Sequence, residues 1–286
     1  NIALLGVVLN IILAPVFIFV FEWGMKGAAI ATSISTLVSL IPAVYHFANK
    51  KNILHSFWRS ISIKSDIIWA ILSIGLSPFI IQMAASVIVF FINSQLKIYG
   101  GSMAIEAHTI ANRLTLIIIL VILGLTQGMQ PIIGYNLGAN KIKRVISTTN
   151  YAIKTGLCIG LTGSILGFFF ADIIVGMFKL SPELSILSGK ALNIITIMLP
   201  LSGFQMVVSG LFQSTGMPFK ATALSLARQF IFLLPLIYIL PLLYSMDGVW
   251  MAIPISDFIS SILVFFLYIL QLKTWNKTLT AEFADN

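Results

Sequence analysis

Charge is what this sequence has least of. Only 9% of its 286 residues are Asp, Glu, Lys or Arg, whereas a water-soluble surface carries roughly 25–35% of them. Cysteine is nearly absent too. The single Cys158 lies in an apolar run, which excludes an intramolecular disulfide and points to no metal site. No HExxH, GxSxG, phosphate-cradling glycine loop or zinc-type Cys/His spacing occurs, so the chain reads as a non-enzyme and carries no nucleotide-driven motor of its own. The opening Asn-Ile-Ala lacks an initiator Met, a basic stretch and a cleavage site. It does not read as a signal peptide, and it suggests a cut through a longer protein.

Hydrocarbon fills the chain instead: 58% of the residues are hydrophobic. A bilayer core about 30 Å thick takes roughly 20 apolar residues per helical crossing. Runs of that length fall near 1–21, 27–48, 68–96, 103–136, 150–177, 186–214, 219–244 and 248–272. They are long and continuous, unlike the alternating ten-residue strands of an outer-membrane barrel. The expected fold is all-α, a polytopic transmembrane helical bundle with eight helices.

A net charge of +8 raises the question of nucleic acid, but the basic residues sit between the apolar runs, where membrane topology places them. The segments 49–67, 137–154 and 215–228 and the tail after 272 hold twelve Lys and Arg; the opposite flanks hold four, Lys26, Lys97, Lys179 and Lys190. This asymmetry puts the C-terminus in the cytoplasm. No nucleic-acid partner is expected; lipid is, and the chain reads as a monomer.

An internal echo bears on domain organisation. Gly27–Thr36 reads GAAIATSIST at the start of the second run, and Gly248–Asp257 reads GVWMAIPISD at the start of the eighth. Gly27 pairs with Gly248, Ala31 with Ala252, Ile34 with Ile255 and Ser35 with Ser256. Six runs separate the two, so both point the same way, as in a parallel repeat of transporter halves. A six-helix unit then makes 1–48 the last two helices of an N-terminal lobe and 49–67 a cytoplasmic linker. It makes 68–272 a six-helix C-terminal lobe and 273–286 a cytoplasmic tail. Four helices of an expected twelve would precede Asn1.

Polar residues form columns within the runs. At 100° per residue, Gly75, Gln82, Ser86 and Asn93 share about 40° of the third helix. Glu106, Thr109, Arg113 and Gln127 share about 60° of the fourth, with a bend expected at Pro131. Ser202, Gln205, Ser209 and Gln213 cover about 80° of the sixth. Such groups either hydrogen-bond neighbouring helices or line a solvated cavity that suits permissive ligand contacts. The candidate cavity residues are Gln82, Ser86, Asn93, Gln127, Gln205 and Ser209.

Ionisable groups inside a span are costly and mark function or tight pairing. Asp257 lies nine residues past Gly248, about 14 Å along its helix, and Arg228 lies eight past Lys220, about 12 Å from the other face. The two reach comparable depth on consecutive helices, so a pair near the midplane is expected. It serves either as a structural bridge or as a proton or cation switch. Glu106, His108, Asp172 and Asp247 read as interface residues near outer ends, and His46 and His55 carry no ligand spacing.

The fourth run ends QGMQPIIGYNLGANKIKRV, Gln127 to Val145. Gln130, Pro131, Gly134, Asn136, Gly138 and Arg144 fit a Q-P-x-x-G-Y-N-x-G-A-x-x-x-x-R-V pattern. With Asn10–Ser35, GLFQSTG at Gly210–Gly216, LARQFIFLLPLIYILP at Leu226–Pro241 and GVWMAIPISD, this resembles the multidrug and toxic compound extrusion (MATE) family over nearly the whole chain. The resemblance implies twelve helices in two six-helix lobes. It also implies alternating-access export of amphipathic, often cationic compounds, in exchange for protons or sodium, across the bacterial inner membrane, without a cofactor beyond the coupling ion. Departures matter. The helix resembling the family's seventh offers Gln82 and Asn93 where some members carry a glutamate, and position 14 is Ala where relatives often have Asp. Residues 134, 138 and 139 read as a close approach or turn at the membrane exit, with Lys141, Lys143 and Arg144 held at the anionic cytoplasmic surface. Two alternatives stay open: a lipid-linked sugar flippase of the same architecture, for which only Arg113 and Arg228 could serve a pyrophosphate, and a non-transporting truncated remnant.

Overall fold

The computed structural model describes residues 2–48 and 64–284, and among them every regular element is helical. The chain divides into two units, Asn1–Trp69 and Ala70–Asn286. The expected linker 49–67 falls mostly outside the described residues, and α3 begins at Ser65, three residues before the expected start of the lobe.

In the first unit, α1 (Ile2–Pro15) runs into a π-wound segment, Val16–Val20, and α2 (Gly24–Ala48) returns beside it. Positive φ at Glu22 (55°) and Gly24 (52°) turns the chain. Gly27 then approaches the main chain of Phe17 so closely that a Cβ would sit 2.6 Å from the Phe17 carbonyl oxygen. Asn10 Nδ2 donates to Thr32 Oγ1 at 3.1 Å across the pair.

The second unit holds all but the first turn of α3 (Ser65–Gly138), then α4 (Ile142–Phe169), α5 (Ala171–Gly176), α6 (Pro182–Thr196), α7 (Leu199–Ser214), α8 (Pro218–Leu226), a π-wound segment Ala227–Leu233, and α9 (Leu234–Ala284). At 74 residues, α3 is far too long for one crossing. It breaks at Gly101, whose φ of 69° and ψ of −162° leave the helix. Likewise α9 breaks at Ser245, with φ 51° and ψ −133°. The break is a reversal: a Cβ on Gly248 would lie 2.4 Å from the Leu240 carbonyl, although eight residues of straight helix span about 12 Å. Among the described residues, four stretches are long and apolar enough to cross a membrane, five when α6 and α7, bent by 49°, count as one. Two of these, Pro78–Gly138 and Pro218–Trp275, contain the breaks and make two crossings each. With the apolar helix at Leu4–Val20, the eight expected crossings are accounted for, and the molecule is a helical membrane bundle. The last helix continues to Ala284, so the segment expected as a tail is helical over 273–284.

Gly27 and Gly248, the heads of the echoed segments, do the same job. Each lets a returning helix touch the carbonyl of the helix before it. Of the other echoed positions, Ala31, Ser35, Ala252 and Ser256 are buried, whereas Ile34 is half-buried and Ile255 is exposed.

Within lipid, apolar burial does not drive helices together, and close backbone packing takes its place. Along α4, Gly156, Gly160, Gly163 and Gly167 form one buried column. Gly160 faces α7, where a Cβ would lie 2.5 Å from the Leu199 carbonyl oxygen, and Gly203 returns the fit against Gly156. One apolar cluster gathers Leu96, Ala107, Leu192, Ile237 and Trp250; a second gathers Ile133, Val145, Val207, Leu211 and Val264.

The motif at the end of α3 folds differently from expectation. The helix passes through Pro131 with helical φ/ψ. Gly134 and Gly138 have open space where a Cβ would stand, and neither has positive φ. The turn is made by Asn140, at φ 54°. Its N–H donates to Leu137 O at 3.0 Å, and Lys141 N–H donates to Asn136 O at 2.8 Å. This is a Schellman cap with Asn in the left-handed position, where its short polar side chain is tolerated. Arg144 is exposed, and Gln130 is half-buried.

Candidate functional site

Asp257 is the only Asp or Glu buried among the described residues. It stands twelve residues past the break at Ser245, about 18 Å along the second limb of α9. Pro254 lies one turn earlier and takes a main-chain N–H out of that stretch. Arg228 comes from the π-wound segment Ala227–Leu233, a winding that re-aims side chains relative to an α-helix. Ser202 and Gln205 come from α7, just after Pro200 sets its first turn.

These residues meet. Arg228 Nε donates to Asp257 Oδ1 at 2.6 Å. Ser202 Oγ donates to Asp257 Oδ2 at 2.5 Å. Gln205 Nε2 donates to the Asp257 main-chain oxygen at 2.7 Å, and Ser260 Oγ donates to Gln205 Oε1 at 3.0 Å. Both carboxylate oxygens are therefore answered by short, charge-assisted hydrogen bonds, among the stronger kinds in proteins. The two charges are placed unequally, with the Asp257 side chain 6% exposed and Arg228 35%. Arg228 has open space to turn into when released; Asp257 is enclosed by protein. A carboxylate in such a place needs its cation or must lose its charge.

The proposed cavity residues divide. Gln205 is buried and committed to Asp257 and Ser260, so it belongs to this network rather than to an open wall. Ser209 and Asn93 are half-buried. Gln82, Ser86 and Gln127 are exposed, as are Glu106, Thr109 and Arg113, so the columns of the two α3 limbs face outward from the packing of this unit. Arg113 lies twelve residues past Gly101, about 18 Å along its limb, a depth matching that of Asp257. An exposed guanidinium at that depth requires a polar surrounding, not acyl chains.

Sequence reasoning missed two members and misplaced a third. Ser202 stood in the sixth-helix column but was not joined to Asp257. Ser260 lies three residues past Asp257 on the same helix face, a spacing that could have pointed to it. His108, expected at an interface, is buried at 8% exposure beside Ala107 and Ala111, and its Nδ1 has no partner. Asp247, by contrast, is near an end and forms an ion pair with Lys190 at 2.6 Å. Among the described residues, no three His, Cys, Asp or Glu gather as metal ligands.

Known proteins share this arrangement of helices. The multidrug export protein MepA of Staphylococcus haemolyticus is 27% identical over 261 residues, which is 91% of this chain and 57% of that protein. A MOP-superfamily transporter from Pyrococcus furiosus superimposes with a TM-score of 0.86 at 28% identity, over 96% of this chain and 62% of that one. The Vibrio cholerae MATE transporter VcmN gives a TM-score of 0.85 at 25% identity, over 96% and 62%. The chain thus spans little more than half the length of the curated relative. Residues 78–239, more than half of the chain, match the family described as MatE, and with the fold agreeing along nearly all its length the chain belongs to that family of membrane transporters, which are not enzymes.

Proposed function

We propose that the protein containing this chain exports amphipathic, cationic small molecules across a bacterial plasma membrane, by alternating access and in exchange for a coupling cation. MepA of Staphylococcus haemolyticus carries a name for multidrug export, which supports the substrate class. The C-terminus is read as cytoplasmic from the basic asymmetry of the segments between helices.

The observation that carries the coupling is the Arg228–Asp257–Ser202 contact. With Asp257 ionised, its carboxylate ties the π-wound segment, α7 and α9 together. Neutralising that carboxylate releases the guanidinium, which can turn into the open space beside it, and leaves Ser202 free to rotate. Three elements of the lobe lose their shared anchor in one event, a local charge change biasing a larger rearrangement. A proton fits this role better than sodium, because it sits on one carboxylate oxygen and needs no shell of ligands, whereas sodium would have to gather several oxygens beside the guanidinium held 2.6 Å from Oδ1. Substrate contacts are assigned to the exposed polar faces of α3, with Gln82, Ser86 and Gln127 as permissive donors and acceptors. A flippase for pyrophosphate-linked sugars is disfavoured, since Arg228 is already engaged and Arg113 alone remains.

The test uses the full-length gene product in proteoliposomes, with a cationic dye as cargo and an imposed pH or sodium difference as drive. Dye movement under the pH difference, abolished by Asp257→Asn, supports the reading. Movement driven by sodium alone replaces the coupling ion. Undiminished transport by Asp257→Asn removes the carboxylate from coupling.

A further inference from the structure

The first three turns of α4 carry a groove that the transport reading does not use. It is open, about 360 Å³ in volume, and lined by Lys143, Ile146, Ser147, Asn150, Tyr151 and Lys154. The spacing of three and four residues puts all six on one helix face, with the lysines at its two ends, about 16 Å apart along the axis. Tyr268 of α9 donates its hydroxyl to Asn150 Oδ1 at 2.7 Å. That fixes the amide and leaves its nitrogen as a donor. Tyr151 is 71% exposed.

Along α4 and the limb of α3 before it, past Glu106, charge has one sign. Between Glu106 and Asp172 the sequence contains no Asp or Glu, while Lys141, Lys143, Arg144 and Lys154 fall within fourteen residues. The level is also set. At 28 residues, α4 is about 42 Å long, some 12 Å more than a hydrocarbon core. With that excess at its basic end, the first two turns, Lys143 to Ser147, stand among headgroups, and Lys154 reaches up to them from below.

Below the groove the same face turns apolar. Leu161 and Ile165 lie within about 40° of Lys143 around the helix, and they are 53% and 44% exposed. A cationic, hydrogen-bonding head section thus continues into an uncovered apolar track. A free anion would have no use for that track, and an acyl chain would.

We propose that this groove seats the phosphate headgroup of an anionic glycerophospholipid, with its acyl chain laid along Leu161 and Ile165. Lys143 and Lys154 neutralise the phosphate, the Asn150 amide and Ser147 hydroxyl hydrogen-bond its oxygens, and Tyr151 closes the interfacial side. Through Asn150 and Tyr268, the bound head also joins α4 to α9.

Phosphatidylglycerol and phosphatidylcholine are titrated separately into the purified full-length protein in detergent, with retained lipid counted by native mass spectrometry. The wild type is expected to retain phosphatidylglycerol selectively. The double variant Lys143→Gln/Lys154→Gln should bind it about thirtyfold more weakly, taking each lysine's contribution at a headgroup surface together. Lys273→Gln, an exposed cation on α9, should leave binding unchanged. Equal retention of phosphatidylcholine, equal loss in Lys273→Gln, or full competition by inorganic phosphate would each overturn the site. Hydrogen exchange on the wild type gives a check independent of any variant: phosphatidylglycerol must slow exchange across 142–156, and no change there refutes the proposal.

Discussion

Replacing Arg228 with Gln leaves the Asp257 carboxylate in place with only Ser202 to answer its charge. Stripping one partner from a buried ion pair costs about 3–5 kcal/mol. Because the guanidinium is 35% exposed, the lower end applies, about 3 kcal/mol. Asp257→Asn strands the other charge instead, but that one has open space to turn into, so the loss should be about 1–2 kcal/mol, near the cost of an unmade hydrogen bond. The double variant Arg228→Gln/Asp257→Asn has no buried charge left and should come within about 1 kcal/mol of the wild type. Thermal midpoints of the purified full-length variants, followed by size-exclusion chromatography after heating, should fall in the order wild type and double variant, then Asp257→Asn, then Arg228→Gln. A double variant no more stable than Arg228→Gln alone would refute the argument. Transport then separates the two roles. A stable double variant that still exports leaves a bridge and nothing more, whereas a stable one that does not export makes the charge change part of the cycle.

Other outcomes follow from the packing. Gly160→Val drives a side chain into the Leu199 carbonyl and should cost at least about 1–3 kcal/mol. Gly124→Ala, with open space around it, should be neutral or gain about 0.5–1 kcal/mol from helix propensity; the same midpoints decide both. Gly27→Ala and Gly248→Ala should each destabilise, since each meets a carbonyl of the preceding helix, and an unaffected midpoint in either would break the structural equivalence of the echoed segments. In a Cys158→Ser background, cysteines placed at Lys141 and Lys273 should react with an impermeant thiol reagent from the same side of the membrane and one at Lys179 from the other. Any other pattern overturns the topology.

Much of the frame was legible because membrane crossings obey length rules. Asp257 and Arg228 could be set at comparable depth by counting 1.5 Å per residue from the ends of their runs, and the contact between them is in the structure. Which face of a helix turns inward is another matter. Gln205 and Gln82 belong to equally polar columns, yet one is locked to the main chain of α9 and the other is exposed, a difference decided by neighbouring helices and invisible along the chain. His108 looked interfacial by position and is buried for the same reason. The turn after α3 was assigned to glycines, while Asn140 makes it, because a Schellman cap asks only for left-handed φ at one position and Asn can supply it.

The seating of Gly156 and Gly160 of α4 on the main chain of α7 has a mechanical consequence. Where two helices touch through side chains, rotamers can slip and the contact creeps; where main chain meets main chain, nothing is available to yield. Helices α4 and α7 are thereby welded into a single beam, and any bending the lobe undergoes must be taken up elsewhere, at joints such as the loosely wound stretch that presents Arg228.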